Sequence, residues 1–335
     1  MKRLEEGAMT VFTINETEFC WEEIVAAAQS WGEWLPFVAE ERQSLACLGY
    51  AAKNQQQLPE NEVRAAATTF RYAHNLISAE ETQAWLNRRE MTAEDWMNWL
   101  RGKLLRERWA DRLNEILAAH PVSDEEVAEV LKHHAVCAGK LSDWAIKLAG
   151  HAAIVAKSGL FDAGQCPLDG ATGSSRDLVF RIESEFERQW QMTVTPKLIE
   201  SKIADHRLDW IHFDCRSLWF AEERMAREAA WCVTEDGLTI DEVARQAHAE
   251  VKYWAFYLDE IDAAIRPYFM AARQGDSLGP LKMTAQDQIG FPFFSIVEKK
   301  MPAIDDPKIR QRAEKTIIAN LMEQAMNEQV KWDIF

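Results

Sequence analysis

The residues able to do chemistry in this sequence fall in three places. His212 stands in Trp-Ile-His-Phe-Asp-Cys, where an imidazole could act on a bound substrate or simply be hydrogen-bonded within a sheet. Cys215 follows three residues later, on the opposite parity of a strand, so the two cannot share one face and a Cys-His nucleophile is not built there. His133, His134 and Cys137 form the second group. His133 and Cys137 stand one helical turn apart, a spacing two metal ligands could use, but no third ligand accompanies them and an ordinary helical surface explains them. The third group is a set of indoles, Trp85, Trp96, Trp99 and Trp109, which could line a peptide groove or pack a helical core. Cys20, Cys47, Cys137, Cys166, Cys215 and Cys232 include neither CxxC nor CxxxC, so they read as reduced thiols. GxGxxG, P-loop, HExxH and GxSxG motifs are absent, so no cofactor and no metal is expected.

Positioning such residues needs a folded scaffold, and the composition supplies one. Of 335 residues, 47% are hydrophobic and 27% charged, which excludes disorder and leaves a core to bury. The 54 acidic against 38 basic side chains give a net charge of -16. Such a field repels phosphate backbones, so nucleic acid is not an expected partner, whereas basic or weakly polar peptides are. No apolar run reaches the roughly 18 residues that span a membrane, so no membrane insertion is expected. The first residues lack the apolar stretch of a secretory signal, which together with unpaired thiols predicts a cytoplasmic protein.

The elements follow from periodicity. Residues 10 to 20 alternate β-branched and aromatic residues and predict a short strand or an extended arm. From 37 to 120 the pattern is helical, with helix starts of capping-box form at Ser78 and Thr92, and after His120-Pro121 Ser123 opens a further helical stretch to about Lys157, each cap three residues before an acidic side chain. The stretch 158 to 175 is rich in glycine and predicts an exposed loop. The period then changes: 208 to 220, 253 to 258 and the segments LGPLKM and IGFPFFSIVEKKM have strand character, and helices lie between them. A small antiparallel sheet of three or four strands is expected, confined mainly to 207 to 301. The tail, 305 to 331, predicts one long helix opened by Pro307, with an apolar stripe through Ile309, Ile317, Ile318, Leu321, Ala325 and Val330.

Over 207 to 301, the order strand, helices, helix, strand, strand resembles the parvulin-type peptidyl-prolyl isomerase domain. Gly275-Asp-Ser-Leu-Gly-Pro280 looks like that family's turn between its last helix and a strand, and Gly290-Phe-Pro-Phe-Phe-Ser-Ile-Val297 looks like its final strand. His212 falls where the first strand of parvulins carries a histidine. The N-terminal half, with FVAEERQSLACLGYA and ISAEETQAWLNRREMTAEDWMNWLRGKLLRERW, resembles the helical chaperone domain of SurA-like proteins, in which a returning C-terminal helix clasps the N-terminal helices. The missing signal peptide resembles cytoplasmic relatives associated with maturation of ribosomally made peptides.

The resemblance implies an α+β, predominantly helical protein: a chaperone-like helical domain at 1 to 118, a helical insert and linker at 119 to 175, connecting helices at 176 to 206, a parvulin-like domain with a small antiparallel sheet at 207 to 301, and a clasping C-terminal helix at 302 to 335. It implies a peptide-binding chaperone or maturation factor, with a peptide or unfolded-protein client and a biosynthetic or export partner protein; an active isomerase and a non-catalytic subunit of a larger complex are the alternatives. His212 is the implied catalytic residue. Ile261, Ile265, Phe269, Phe291, Phe293, Trp85, Trp96 and Trp99 are the implied peptide contacts. The family's second histidine, on the final strand, is replaced here by Pro292 or Phe293, neither of which has a side chain that can donate or accept a hydrogen bond, so only half of a catalytic set is present.

Overall fold

The protein is described from a computed structural model covering residues 10–157, 174–285 and 288–333. Helices dominate, with small antiparallel sheets between them. The chain forms two compact units: residues 1 to 191 with 320 to 335, and residues 192 to 319.

In the first unit, β1 (Thr10–Ile14) and β2 (Thr17–Cys20) form a hairpin whose turn uses Asn15 at positive φ, a conformation asparagine tolerates. Phe12 stacks on Phe19 at 4.4 Å, and both are fully buried. Helices follow: α1 (Trp21–Ser30), α2 (Trp34–Lys53), α3 (Glu60–Ala73), α4 (Ala79–Asn87), α5 (Ala93–Arg108), α6 (Leu113–Ala119), α7 (Asp124–Cys137), α8 (Lys140–Ala156) and α9 (Ser175–Thr193). The expected caps are made. Ser78, Thr92 and Ser123 accept the amides of Glu81, Asp95 and Glu126 at 3.0, 3.1 and 3.2 Å, and each acidic side chain answers the cap's own amide.

The second unit contains α10 (Pro196–Asp205), β3 (His212–Phe220), α11 (Glu223–Thr234), α12 (Ile240–Ala247), β4 (Val251–Tyr257), α13 (Arg266–Ala271), β5 (Ser277–Leu278), β6 (Met283–Ala285) and β7 (Gln288–Lys300). The strand order is β4-β3-β7-β5, with β6 also on β7, all antiparallel. Alternation along β3 sends Phe213 and Cys215 into a core with Phe269 and Ile265, and Leu218 and Phe220 into a second core under α11 and α12. Gly279 has φ +114, and a Cβ there would lie 2.8 Å from the Pro292 carbonyl, so only glycine fits this turn.

The sheet expectation needs correction. This sheet has five strands rather than three or four, and a second, three-stranded sheet, β2-β1-β8, lies in the first unit. Its third strand, β8 (Val330–Trp332), follows α14 (Pro307–Gln329), so the tail is a helix and then a strand paired with β1. The helix itself divides. Ile309, Ala313 and Ile317 are buried in the part belonging to the second unit, and Ala325 in the part belonging to the first. The glycine-rich loop expected at 158 to 175, with Cys166, lies outside the described residues except for its last two positions.

Candidate functional site

A cleft of about 490 Å³ opens between α2, α3, α5 and the α7–α8 turn of the first unit. On α3, Ala66, Phe70 and Ala73 succeed one another at helical spacing, so two methyl-sized residues leave room on either side of one phenyl ring. On α5, Trp99, Leu100, Lys103 and Leu104 form the facing wall. Gly102 lets α5 approach α2 closely, since a Cβ at that position would sit 3.2 Å from the Ser44 Cβ. Phe70 is the hub of the floor: its ring lies 5.5 Å from Trp85, 5.4 Å from Trp96 and 5.8 Å from Trp99.

Charges ring this apolar floor. Arg106 donates to Glu40 at 2.9 Å, and Lys103 sits 5.7 Å over the Trp99 ring. Glu41, also in the lining, is buried and pairs with His134 Nδ1 at 2.6 Å. Cys137 is buried with its thiol directed at the Met91 sulfur, and burial pushes its pKa well above the usual thiol range. The helical-surface reading of this segment is therefore corrected: His134 and Cys137 face inward, and they serve packing and one buried hydrogen bond, His134 to Glu41.

The three tryptophans expected in a groove are all buried; Trp99 alone of them borders the cleft, and Trp85 and Trp96 pack on Phe70 behind it. Phe70 was not singled out in the sequence, and the only signal that could have found it is its placement between two small residues on one helical face. In the second unit, Ile265, Phe269 and Phe293 are 6%, 1% and 1% exposed, so these expected peptide contacts are core residues. Phe291 packs partly buried against the α11–α12 core, and Ile261 against the α13 core. Phe269, an expected peptide contact, is closed in by other rings: it makes edge contacts with Phe213, Phe256 and Phe294 at 5.5, 5.3 and 5.3 Å.

His212 is half-buried, with Nδ1 3.7 Å from Asp214 and its ring edge-on to Tyr257 at 5.1 Å. Cys215 lies on the other face, buried, its pKa pushed up to about 12 by burial. The strand register settles which residues adjoin His212. Lys300 stands opposite it on β7, whereas Pro292 and Phe293 stand opposite Trp219 and Leu218. At roughly 3.3 Å per residue those positions are about 20 Å along the sheet from His212. They are therefore not at its partner position.

No protein-family model and no curated protein matches this sequence. Among solved structures, the chain is similar to the foldase protein PrsA of Lactococcus lactis at 7% identity and TM-score 0.29, covering 97% of this chain and 95% of that one. It is similar to PrsA of Streptococcus pneumoniae at 10% identity and TM-score 0.29, covering 96% and 93%. A structure from Campylobacter jejuni, described with PEB4 and the periplasmic protein Cj1289 as SurA-like chaperones, has 7% identity and TM-score 0.20, covering 97% and 98%. Likenesses at these TM-scores carry no functional weight. No helix among the described residues is long and apolar enough to cross a membrane.

Proposed function

We propose that this protein is a peptide-binding chaperone or maturation factor whose first unit receives apolar side chains of a client in the cleft between α2, α3 and α5. The single observation that supports this is the cleft itself: about 490 Å³ lined by Ala66, Thr69, Leu104 and the buried rings of Phe70 and Trp99, and rimmed by Glu40, Lys103, Arg106 and Glu107. An apolar floor of this size takes one or two client side chains, and the mixed rim tolerates varied sequences around them, which suits a peptide or an unfolded chain rather than one small ligand. Maturation of a ribosomally made peptide or exported protein in the cytoplasm is the pathway this reading favours.

Isomerisation is not part of the proposal. Rotation about an X-Pro bond faces about 18–20 kcal/mol, and lowering that barrier requires polar groups that favour the twisted amide over both planar forms. Among the residues near His212 are Asp214, Tyr257, Glu260 and Lys300, and Ile265 and Phe269 are buried in the α13 core.

The test is peptide binding by Ala66→Trp and Thr69→Trp variants, two substitutions that fill the cleft from its wall. Unfilled, the cleft should hold a blocked peptide rich in Leu and Phe with about micromolar Kd. Either tryptophan should weaken binding about tenfold or more while circular dichroism stays unchanged. Unchanged affinity in both variants refutes the cleft. In a protease-coupled assay, prolyl isomerisation should stay near background, and His212→Ala should leave peptide affinity unchanged; strong acceleration lost in His212→Ala would restore the enzyme reading.

A further inference from the structure

The sheet of the second unit ends on β4, which pairs with β3 on one side and, among the described residues, with no strand on the other. A free edge presents a row of unpaired amides and carbonyls, and sheets ordinarily blunt it by shortness, charge or a bulge. Other strands at the margins of the two sheets are short: β5 has two residues, β6 three, β8 three with Lys331 among them, and β2 four with Glu18 among them. β4 is different. It runs seven residues, Val-Lys-Tyr-Trp-Ala-Phe-Tyr, pairs with β3 without a register shift, and carries one charge, Lys252.

The pairing fixes which backbone groups are free. Leu258 N donates to Ile211 O at 2.9 Å, one step beyond the His212 and Tyr257 pair. Hydrogen-bonded pairs alternate along an antiparallel ladder, so Phe256, Trp254 and Lys252 turn their N–H and C=O towards β3, whereas Tyr257, Ala255, Tyr253 and Val251 turn theirs outward. The Tyr257 amide agrees with this phase: Glu260 Oε2 accepts it at 2.9 Å, which closes that end of the edge. At the other end Val251 packs against the α11–α12 core. Between these ends, no described group bonds to the outward amide or carbonyl of Tyr253 or Ala255.

The side chains along this stretch are accessible. Tyr253 is 76% exposed, although the Arg216 guanidinium lies 5.4 Å from its ring. Trp254 is 37% exposed and is held in place, since its Nε1 donates to the buried Ser217 Oγ at 2.7 Å. Ala255 is exposed and stands between Tyr253 and Tyr257 on one face, where its methyl group leaves a notch one side chain wide.

We propose that β4 takes up an extended peptide as an added strand, the peptide backbone bonding to Tyr253 and Ala255 and one β-branched or aromatic side chain resting on Ala255 beside Tyr253. The class of occupant rests on the reading of this protein as a peptide binder, but the site uses none of the residues of the first-unit cleft. Length decides between a peptide and a second copy of the chain. The open run, about five residues or ~17 Å at 3.4 Å per residue, matches a short peptide. So narrow a strip supplies much less than the roughly 1,200 Å² that a stable interface between folded proteins buries.

The experiment is calorimetric titration of the full chain with an end-blocked peptide, Ser-Thr-Val-Tyr-Val-Thr-Ser, and with its counterpart N-methylated on the two successive amides of the central Val-Tyr, which removes a donor from each edge of the peptide. The parent peptide should bind about tenfold more tightly. Ala255→Pro deletes an outward donor and leaves the β3 ladder intact, a placement edge strands tolerate, so it should weaken binding about tenfold with circular dichroism unchanged. Ala255→Ser, which keeps the amide, should retain binding. Ala66→Trp should also retain it, which separates failure here from failure of the first cleft. Equal affinity for the two peptides, affinity that survives Ala255→Pro, or loss of binding in Ala66→Trp would each overturn the proposal. So would sedimentation showing a dimer that Ala255→Pro dissociates, because the edge would then belong to a second copy.

Discussion

His134 and Glu41 meet inside the first unit with 2.6 Å between Nδ1 and Oε2, both side chains about 5% exposed. A buried pair of this kind adds little against an apolar replacement, but removing one partner leaves the other without compensation. His134→Ala should therefore cost about 3–5 kcal/mol in chemical denaturation. Adding Glu41→Met should recover part of that loss, and a double variant less stable than the single would contradict this account. Glu33 shows how an acid can be held at a surface. It accepts Lys147 Nζ on Oε1 and Trp144 Nε1 on Oε2, both at 2.8 Å, and the lysine bond foremost holds its carboxyl below the usual carboxylate range. A carboxyl depressed in the folded state contributes stability that is complete above its ordinary value of 4.5 and is lost as pH falls through the lower folded value. Glu33→Gln should thus flatten the acid side of a Tm-against-pH curve without altering it at pH 7 and above beyond a constant offset.

Turns and registers decide what the elements can present. Gly279 has φ +114 and the Pro292 carbonyl sits where a Cβ would go, so Gly279→Ala combines a strained backbone, at about 1–3 kcal/mol, with a steric contact. Its effect should be a lower denaturation midpoint for the second unit. Melting indistinguishable from the parent would show that the turn is looser than described. Ser123 closes a capping box on Glu126, and Ser123→Ala should lower stability by about 1 kcal/mol, read from denaturant titration. The β3–β7 pairing decides which residues adjoin His212: it places Lys300, not Pro292 or Phe293, beside it. A comparison of residue types along the final strand cannot reveal this, since pairing depends on where two distant strands align.

At the scale of the whole molecule, the C-terminal segment completes the first unit. β8 pairs Val330 with Ile14 and Trp332 with Phe12, Lys157 pairs with Glu328 at 3.0 Å, and Met322 packs so closely on Gly150 that a Cβ there would lie 2.3 Å from its methyl carbon. Removing 303 to 335 exposes the free edge of β1 and the apolar face over α8, so the first unit should melt several degrees lower and bind an apolar-surface dye. A truncated chain whose helical signal melts with the parent's midpoint would show that the tail contributes nothing.

The predominantly helical class, the capping boxes, the strand character of 212 to 220 and the opposite parity of His212 and Cys215 were all legible in the sequence, because each depends on neighbours within a turn or two of chain. Residues 208 to 210, expected in the same strand, form a turn before it. The interior was not legible at the same grain. Periodicity marks Trp85, Trp96, Trp99, Ile265 and Phe269 as apolar, yet whether an apolar side chain lines a cleft or fills a core depends on which other helix or strand covers it. Only the tertiary structure left Trp99 and Phe70 at a cleft and closed Phe269 among three other rings. It also added the strand at 330 to 332, whose three residues have no extended partner until the chain returns to Phe12, and it set Arg312 over Trp210 and Tyr257. Contacts between residues far apart along the chain are set by packing of whole elements, and that information is distributed over the entire chain rather than written at any one position.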